Sequence, residues 1–529
     1  FSELELRLFP GPRASLASPA LCGTYPTSAS FTPWSYPFQA PLSLESTAGE
    51  FTVGSGPGGT PCPRGEPFEP ALSAGSEDRQ AGAFSEFTLG LDRPDGNQPP
   101  AAISLKLPAG AAAMLSHITP CPEPQASLGS CGPESQIGHA SASAGVGPDP
   151  YTEQGAVYIT GPYQGAPFGL SIAAPAVAGP FDLGTIVVRS TIEVDPHTAQ
   201  VTISSPVPTF IQGVGRPATG IPLQLQRIQV DVDRPDFEYN PTSCEPKHVE
   251  ATLDGAGNGV EQVSIPFQVA GCQSLPFKPG VSAQTEGETS KADGASLKLT
   301  FKSKSGEAHV AKTILTIPST LPARLTTIQK ACIARVFEAN PAACPEGSVI
   351  GAATVHTPVL ESPLTGPIYL VSHGNAAWPD AELVLQSEGI TVILDGQTAI
   401  KKGVTTSSFL SVPDAPFESV EATLPEGPHS ALTTNLPLKD HYSLCGQHLT
   451  IPAALTGQNG TALSENVKVA VQGCHAVEAR KAKKLTRKQR LAKTLKACRK
   501  SDRHSPAKRG ACEHGARAGY TTKRTGHKR

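Results

Sequence analysis

Apolar material is scarce in this chain of 529 residues, and it never gathers into a long run. Hydrophobic residues make up 38% of the sequence and aromatic residues 5%, which is a lean supply for the core of a large protein. A membrane-spanning helix needs about 18 or more consecutive apolar residues. The nearest candidate, Val177–Val188, is shorter than that and contains Pro180 and Asp182. The sequence therefore predicts no transmembrane segment.

The motifs of common enzyme sites are also lacking. The chain has no Gly-x-Ser-x-Gly turn for a nucleophilic serine, no Gly-x-x-x-x-Gly-Lys-Ser/Thr loop for phosphate and no His-Glu-x-x-His zinc motif. The glycine-rich segment Gly54–Gly59 is not followed by a lysine, so it is typical of a flexible turn. We therefore predict a protein that is not an enzyme, with no catalytic residue, no cofactor and no metal.

Glycine and proline, in contrast, are abundant, with 51 and 52 residues. Proline breaks helices, and many short strands joined by turns of these residues are typical of sandwiches and barrels. Ile228, Val230 and Val232 alternate with polar residues, which indicates a half-buried strand. One short helix is expected over Thr326–Glu338, from its apolar spacing. We predict an all-β protein built of β-sandwich-type units.

The twelve cysteines recur in matching sets about 210 residues apart. Their flanking residues recur with them, since Cys131–Gly138 (CGPESQIG) matches Cys344–Gly351 (CPEGSVIG). Such periodicity indicates tandem repeats. The sets are Cys22, Cys244 and Cys445; Cys62, Cys272 and Cys474; Cys121 and Cys332; and Cys131 and Cys344.

The repeat also defines predicted domains. Phe1–Leu16 matches Phe417–Leu432, so we expect Phe1 to lie inside a repeat of a longer protein. A period of this length leaves open whether each repeat holds two smaller sandwiches. The predicted domains are 1–62, the C-terminal part of a truncated repeat; 63–272 and 273–474, two complete repeats; and 475–529, a basic tail of short helices and disordered sequence.

The cysteines are predicted to form structural disulfides rather than zinc sites. Zinc sites use Cys-x₂₋₄-Cys spacings, whereas the closest cysteines here are ten residues apart. Persistent disulfides form outside the reducing cytosol, so we predict an extracellular or cell-surface protein. Since neighbouring cysteines recur together, the expected pairs are Cys22–Cys62, Cys121–Cys131, Cys244–Cys272, Cys332–Cys344, Cys445–Cys474 and Cys498–Cys512.

The densest acidic group in the body comprises Asp231, Asp233, Asp236 and Glu238. Calcium prefers several carboxylates on one loop, but acidic residues at alternate positions also fit the solvent-exposed face of a strand. The other repeats have no copy of this group, so we interpret it as a solvated face.

Ser135 with His139 and Ser348 with His356 recur at equivalent positions. A serine nucleophile with a histidine base needs an orienting acid as well, and no acid recurs with these pairs. We expect the two hydroxyls to bond to the local backbone instead.

The C-terminal tail differs from the rest in charge. His475–Arg529 carries a net charge of +16, against −19 for the preceding chain. A helix is expected over Glu478–Lys500, with Leu485, Ala492, Leu495 and Cys498 on one face, followed by a second over Ala507–Tyr520. Its predicted polyanion-binding residues are Lys481, Lys483, Lys484, Arg487, Lys488, Arg490, Lys493, Lys496, Arg499 and Lys500.

Such a charge binds polyanions by releasing their counterions. The expected partner is an anionic cell-wall polymer. Nucleic acid is disfavoured, because the disulfides argue against the cytosol and no aromatic stacking residues accompany the lysines. The alternative is a tail that only keeps the protein in solution.

These motifs resemble repeats of large exported proteins of soil actinobacteria. The resemblance covers essentially the whole chain and implies location and architecture only, since that family brings no activity or ligand with it. The shared motifs are CP-x-x-S-x-IG, NPTSC (Asn240–Cys244), AGPFDLGTIVVR (Ala178–Arg189), QNG (Gln458–Gly460) and a Lys/Arg-rich end with two cysteines.

The predicted function is that of a cell-surface or wall-associated structural or adhesive repeat protein. One alternative is an extracellular protein that binds carbohydrate or another unknown surface ligand, although Trp34 and Trp378 are its only tryptophans. Another is the accessory part of an exported hydrolase whose catalytic domain precedes Phe1.

Overall fold

The computed structural model describes residues 3, 5–11, 14–31, 44–56, 59–211, 221–374, 376–436, 442–474 and 486–521. The chain divides into two compact units, Phe1–Gln472 and Gly473–Arg529. Strands dominate the first unit, so the predicted all-β class is confirmed. The domain boundaries predicted from the repeat stay predictions.

The first unit contains an 11-stranded, barrel-like sheet. Its strands pair in the order β3-β4-β14-β7-β8-β9-β10-β11-β5-β16-β17. They are β3 (Ala71–Ser76), β4 (Phe87–Asp92), β5 (Pro100–Lys106), β7 (Gln136–Ala144), β8 (Tyr151–Thr160), β9 (Phe168–Ala178), β10 (Phe181–Val194), β11 (Val201–Pro206), β14 (Leu225–Val232), β16 (Lys247–Gly255) and β17 (Val260–Phe267).

A second barrel-like sheet has 13 strands. Its main path runs β18-β19-β28-β22-β23-β24-β25 in one direction and β18-β30-β29-β20-β27-β26 in the other, and β21 pairs with β23. The strands are β18 (Gly280–Glu286), β19 (Leu297–Lys302), β20 (Val310–Ile317), β21 (Cys332–Ile333), β22 (Val349–His356), β23 (Leu364–Ser372), β24 (Asp380–Ser387), β25 (Ile390–Leu394), β26 (Gly396–Lys401), β27 (Val404–Phe409), β28 (Ser419–Leu424), β29 (Thr450–Gly457) and β30 (Ala462–Gln472).

The second sheet repeats the strand order of the first. The order β18-β19-β28-β22-β23-β24 corresponds to β3-β4-β14-β7-β8-β9. The successive strands β25 and β26, which pair with β24 and β27, take the place of the long β10. In the second sheet the first and last strands, β18 and β30, pair in parallel. In the first sheet a parallel bridge joins Gln80, after β3, to Ala270, after β17. Each sheet thus curves round on itself, where a sandwich would have two separate sheets.

Strand alternation decides which side chains enter the interior. On β14, Ile228, Val230 and Val232 line the interior of the first sheet, and the strand pairs with β4 on one side and β7 on the other. The strand predicted there is confirmed. A core cluster that includes Val157 from the first sheet and Leu383 from the second shows that apolar side chains of both sheets pack together.

The described part of the first unit also contains three two-stranded sheets and three short α-helices. The single helix predicted over Thr326–Glu338 is wrong, because the backbone at Cys332 is extended and pairs with Val371. The pairs are β1 (Gly23–Phe31) with β2 (Leu44–Val53), β6 (Ala112–Ala113) with β15 (Glu238–Tyr239), and β12 (Phe210–Ile211) with β13 (Ile221–Pro222). The helices are α1 (Gln125–Leu128), α2 (Leu325–Ile328) and α3 (Ala334–Ala339).

All twelve cysteines are disulfide-bonded. Cys445 and Cys474 are both among them. The Cα–Cα distances of the measured bonds run from 5.4 to 5.8 Å, within the usual range. Those bonds join Cys22 to Cys62, Cys121 to Cys131, Cys244 to Cys272, Cys332 to Cys344 and Cys498 to Cys512, all neighbours in the sequence.

Within its described residues, the second unit contains two helices, α4 (Arg487–Ser501) and α5 (Pro506–Thr521), joined by the Cys498–Cys512 disulfide. Across the described part of the chain, none of the helices has the length and apolar character needed to cross a lipid bilayer.

Candidate functional site

α4 is well defined at its start. The Gln489 backbone N–H donates to the Thr486 hydroxyl at 3.3 Å, and the Thr486 N–H donates to the Gln489 side chain at 2.9 Å. This reciprocal capping box satisfies two backbone donors at the helix N-terminus. The capping box thereby fixes the helical geometry at the start of α4.

The buried face of α4 includes Leu491, where the adjacent Ala492 was predicted. Leu491 and Leu495 are half-buried and Cys498 is buried, whereas Ala492 is exposed. Spacings of four and three residues put Leu491, Leu495 and Cys498 on one face. The prediction of Ala492 on that face is therefore wrong, and Leu485 lies outside the described residues.

The outer surface of α4 is densely basic. Arg499 Nε lies 2.8 Å from Glu513 Oε1, and the hydrogen bond from Arg499 lowers the pKa of that carboxyl. An array of exposed cations on a rigid helix attracts polyanions. Lys481, Lys483 and Lys484 lie outside the described residues. The other predicted binding residues are all exposed on α4: Arg487, Lys488, Arg490, Lys493, Lys496, Arg499 and Lys500.

The acidic group of the body does not converge on a point. Asp233 Oδ2 lies 2.7 Å from His139 Nδ1, while Asp236 sits in a turn with φ of 56°. Because the chain turns there, Glu238 is buried on β15, and the prediction of a solvated face is wrong for this residue. No group of three or more His, Cys, Asp or Glu side chains in the described residues is arranged to hold a metal ion.

The recurrent serines and histidines are not joined. The Ser135 hydroxyl donates to the Thr119 carbonyl at 2.7 Å, and the Ser348 hydroxyl donates to the Pro345 carbonyl at 2.6 Å. Both serines are buried. The His139 ring bonds to Asp233 instead. The hydroxyls therefore bond to backbone, as expected from the sequence.

A buried carboxylate that the sequence analysis missed lies at Asp414, between β27 and β28. Its side chain is 5% exposed and has four polar partners. The Thr242 hydroxyl and N–H donate to it at 2.6 and 2.9 Å, and the Ser243 N–H donates at 3.0 Å. His309 Nδ1 lies 2.8 Å away. The site ties the loop before β16 of the first sheet to the second sheet.

The pKa of Asp414 reflects two opposed effects. Burial raises it, but the hydrogen bond and charge of His309 and the hydrogen bonds from Thr242 and Ser243 outweigh burial, so the pKa of Asp414 is lowered. Thr242 and Ser243 belong to the NPTSC motif. That short polar motif was the available signal, although nothing local to it indicates Asp414 as the partner.

A second group of acids lies around Glu382 on β24. Glu382 is 2% exposed, and its Oε1 is 3.2 Å from His373 Nε2. Burial, followed by the nearby carboxyls of Asp395 and Asp380, raises the pKa of Glu382 to about 9. His197 Nδ1 lies 3.0 Å from Asp395 Oδ2 on the outer side of the group. At neutral pH Glu382 is therefore a neutral acid.

The comparisons with known proteins are weak. No protein-family model matches the chain, and no curated protein is significantly similar to it in sequence. A solved structure of a Corynebacterium diphtheriae protein described as membrane anchored has 9% identity and a TM-score of 0.16, over 84% of this chain and 95% of that one. Dimeric latent PorU from Porphyromonas gingivalis has 6% identity and a TM-score of 0.11, over 80% of this chain and 35% of that one. Likenesses at these TM-scores carry no argument about function.

Proposed function

We propose that this is an exported, non-enzymatic cell-surface protein, related to repeat proteins of soil actinobacteria, whose α4 helix is retained on anionic wall polymers. Disulfide bonding of every cysteine is compatible with an oxidising location outside the cytosol. The observation that carries the proposal is the row of exposed lysines and arginines on α4.

The helix supports this function through its preorganisation. Its N-terminus is capped and its C-terminal end is fastened to α5 by a disulfide, so binding orders little additional backbone. Lys488, Lys493 and Lys496 are exposed along the helix, where a flexible, phosphate-rich polymer has access to them. The remainder of the protein then serves as the structural part, stabilised by disulfides and two barrel-like sheets.

The tryptophan within the described residues gives no support to carbohydrate binding. A sugar platform needs exposed aromatic rings, but Trp378 is half-buried and lines the interior of the second sheet. Trp34 lies outside the described residues.

Reversing three charges on α4 tests the proposal. In the full chain carrying Lys488→Glu, Lys493→Glu and Lys496→Glu, we expect binding to purified teichoic acid to fall at least 10-fold at low salt. The dependence of log K on log salt should also flatten by about one unit per lysine, if counterions are released as on nucleic acids. Equilibrium sedimentation or interferometry across a salt series measures both quantities.

A control variant with the same change in net charge distinguishes the loss of the α4 site from the effect of the protein's overall charge. Lys302, Lys304 and Lys312 are exposed on the first unit, and their replacement by glutamate should leave most of the binding intact. Equal losses in the two triple variants, or none in either, would contradict retention through α4.

A further inference from the structure

An apolar cavity of about 230 Å³ runs inside the first barrel-like sheet. Protein interiors are normally packed as densely as organic crystals, and an engineered cavity of about 150 Å³ already binds benzene. A cavity of this size is therefore large enough for a small organic ligand.

Small side chains on two strands, β7 and β9, leave this space open. Ala140, Ala142 and Ala144 point inward from β7, and Ala174 and Ala176 do so from β9. Larger residues at these alternate positions would fill the interior, as they do in ordinary β cores.

The cavity is elongated. Its lining includes Leu225 and Val232, the first and last residues of β14. At about 3.3 Å per residue, these are roughly 20 Å apart. Tyr151, paired with Ala144 at the Leu225 end, also lines the cavity and is 40% exposed, so this end reaches the surface. The shape suits an extended chain better than a compact ring system.

A buried ionisable group, the carboxyl of Glu238, faces the cavity. Glu238 is 8% exposed, and no hydrogen bond or ion pair to its carboxyl is present among the described residues. An acid buried without a partner is costly, and the cost falls if a ligand supplies one. The other ionisable lining residues are Glu153 and Tyr151, so among the described residues no basic side chain lines the cavity to receive an anion.

We propose that this cavity binds a single-chain apolar molecule with a neutral, oxygen-bearing head group, such as a long-chain alcohol or ester, whose oxygen accepts a hydrogen bond from the protonated Glu238 carboxyl. A neutral head avoids the desolvation of an ion inside an apolar wall. This site is distinct from the α4 surface and does not depend on it.

Protonation of Glu238 sets the pH range of binding. Burial raises the pKa of Glu238 to about 8. Its pairing strand β6 brings Ala112 and Ala113, and the segment whose Ser85 N–H donates to the Glu238 carbonyl brings Glu86. The titratable neighbours on its own segment are Asp236 and Tyr239. An alcohol can also donate its O–H to the carboxylate, whereas an ester can only accept from the protonated form. Affinity for an ester should therefore decline as the pH rises through about 8.

The test uses the full chain and three probes of equal chain length: 1-decanol, decylammonium and decanoate. Isothermal titration near pH 7 should give the tightest binding for decanol, with decanoate at least 10-fold weaker. Glu238→Leu should weaken decanol about 10-fold, the value of one buried hydrogen bond. With methyl decanoate, an ester that can only accept, Glu238→Gln keeps a donor and should retain binding at pH 7 without the decline toward pH 9.

Filling the cavity with a larger side chain tests independently whether the ligand binds there, and the melting temperature shows whether the variant still folds. Ala142→Leu should abolish decanol binding while the protein keeps its melting temperature. Ala422→Leu is the matched control, since Ala422 lines the separate cavity of about 200 Å³ in the second sheet. The proposal is overturned if decanol does not bind, if decanoate or decylammonium binds as tightly, or if Ala142→Leu leaves decanol binding unchanged.

Discussion

Replacing Asp414 with alanine is expected to lower the free energy of unfolding by about 3–5 kcal/mol, the range observed when one partner of a buried ionic group is removed. The substitution leaves the Thr242 and Ser243 N–H groups and His309 without their shared acceptor in a buried site. Urea unfolding of the full chain under non-reducing conditions measures the effect.

The pH dependence of this contribution follows from the lowered pKa of Asp414. The folded protein stabilises the carboxylate form of Asp414 relative to the unfolded chain, whose aspartates titrate near pH 3.9. The stabilisation is therefore fully present above about pH 4 and is lost as the pH falls through the lower pKa of the folded state. The Asp414→Ala variant should show a smaller loss of stability on acidification than the parent.

An exposed aspartate with similar donors is the matched control. Asp195 accepts hydrogen bonds from the His197 N–H and from the Thr198 N–H and hydroxyl, at 2.8 to 3.0 Å, but it is exposed. Its replacement by alanine should cost about 1 kcal/mol. If both variants lost equally little, Asp414 would not fasten the two sheets together as described.

The second large effect is expected at Glu382, and it appears as a change in the pH dependence of stability. In the unfolded chain a glutamate releases its proton near pH 4.3, whereas the pKa of folded Glu382 is raised to about 9. Between these values the folded state binds more protons than the unfolded state, so stability falls as the pH rises. One proton contributes at most about 1.4 kcal/mol per pH unit.

Glu382→Gln removes this titration while keeping the shape and the contact with His373. We expect the variant to be more stable than the parent at neutral and alkaline pH, with the gap widening up to about pH 9. Unfolding midpoints from pH 5 to 9 measure it. Glu421→Gln, at a half-buried position on β28 beside Lys298, should leave the slope unchanged. Parallel slopes for parent and Glu382→Gln would contradict a proton held at Glu382.

Local signals were sufficient for part of this architecture. Alternation at Ile228, Val230 and Val232 predicted β14, and the recurrent spacing of cysteines predicted disulfides between neighbours. The helix predicted over Thr326–Glu338 failed because its apolar spacing matched a helix, while a disulfide at Cys332 and pairing with β23 required extended backbone.

The features that were not predicted from the sequence depend on contacts between residues far apart in the chain. Asp414 lies 172 residues from Thr242 and 105 from His309, so no local pattern links them. The burial of Glu238 depends on the turn at Asp236 and on pairing with β6, and its acidic neighbours in the sequence pointed toward a solvated face. For the basic helix, composition alone was enough to indicate the surface, and only its inner face required the structure.

The parallel pairing of β18 with β30 has a mechanical consequence. The chain enters this sheet at Gly280 and leaves it at Gln472, and the register runs from Ala283 opposite Val469 to Glu286 opposite Gln472. Tension applied through the two flanking segments pulls these strands lengthwise past each other, so their hydrogen bonds bear the force together instead of opening one at a time. A protein tethered at one end and pulled at the other would therefore resist extension at this pair first.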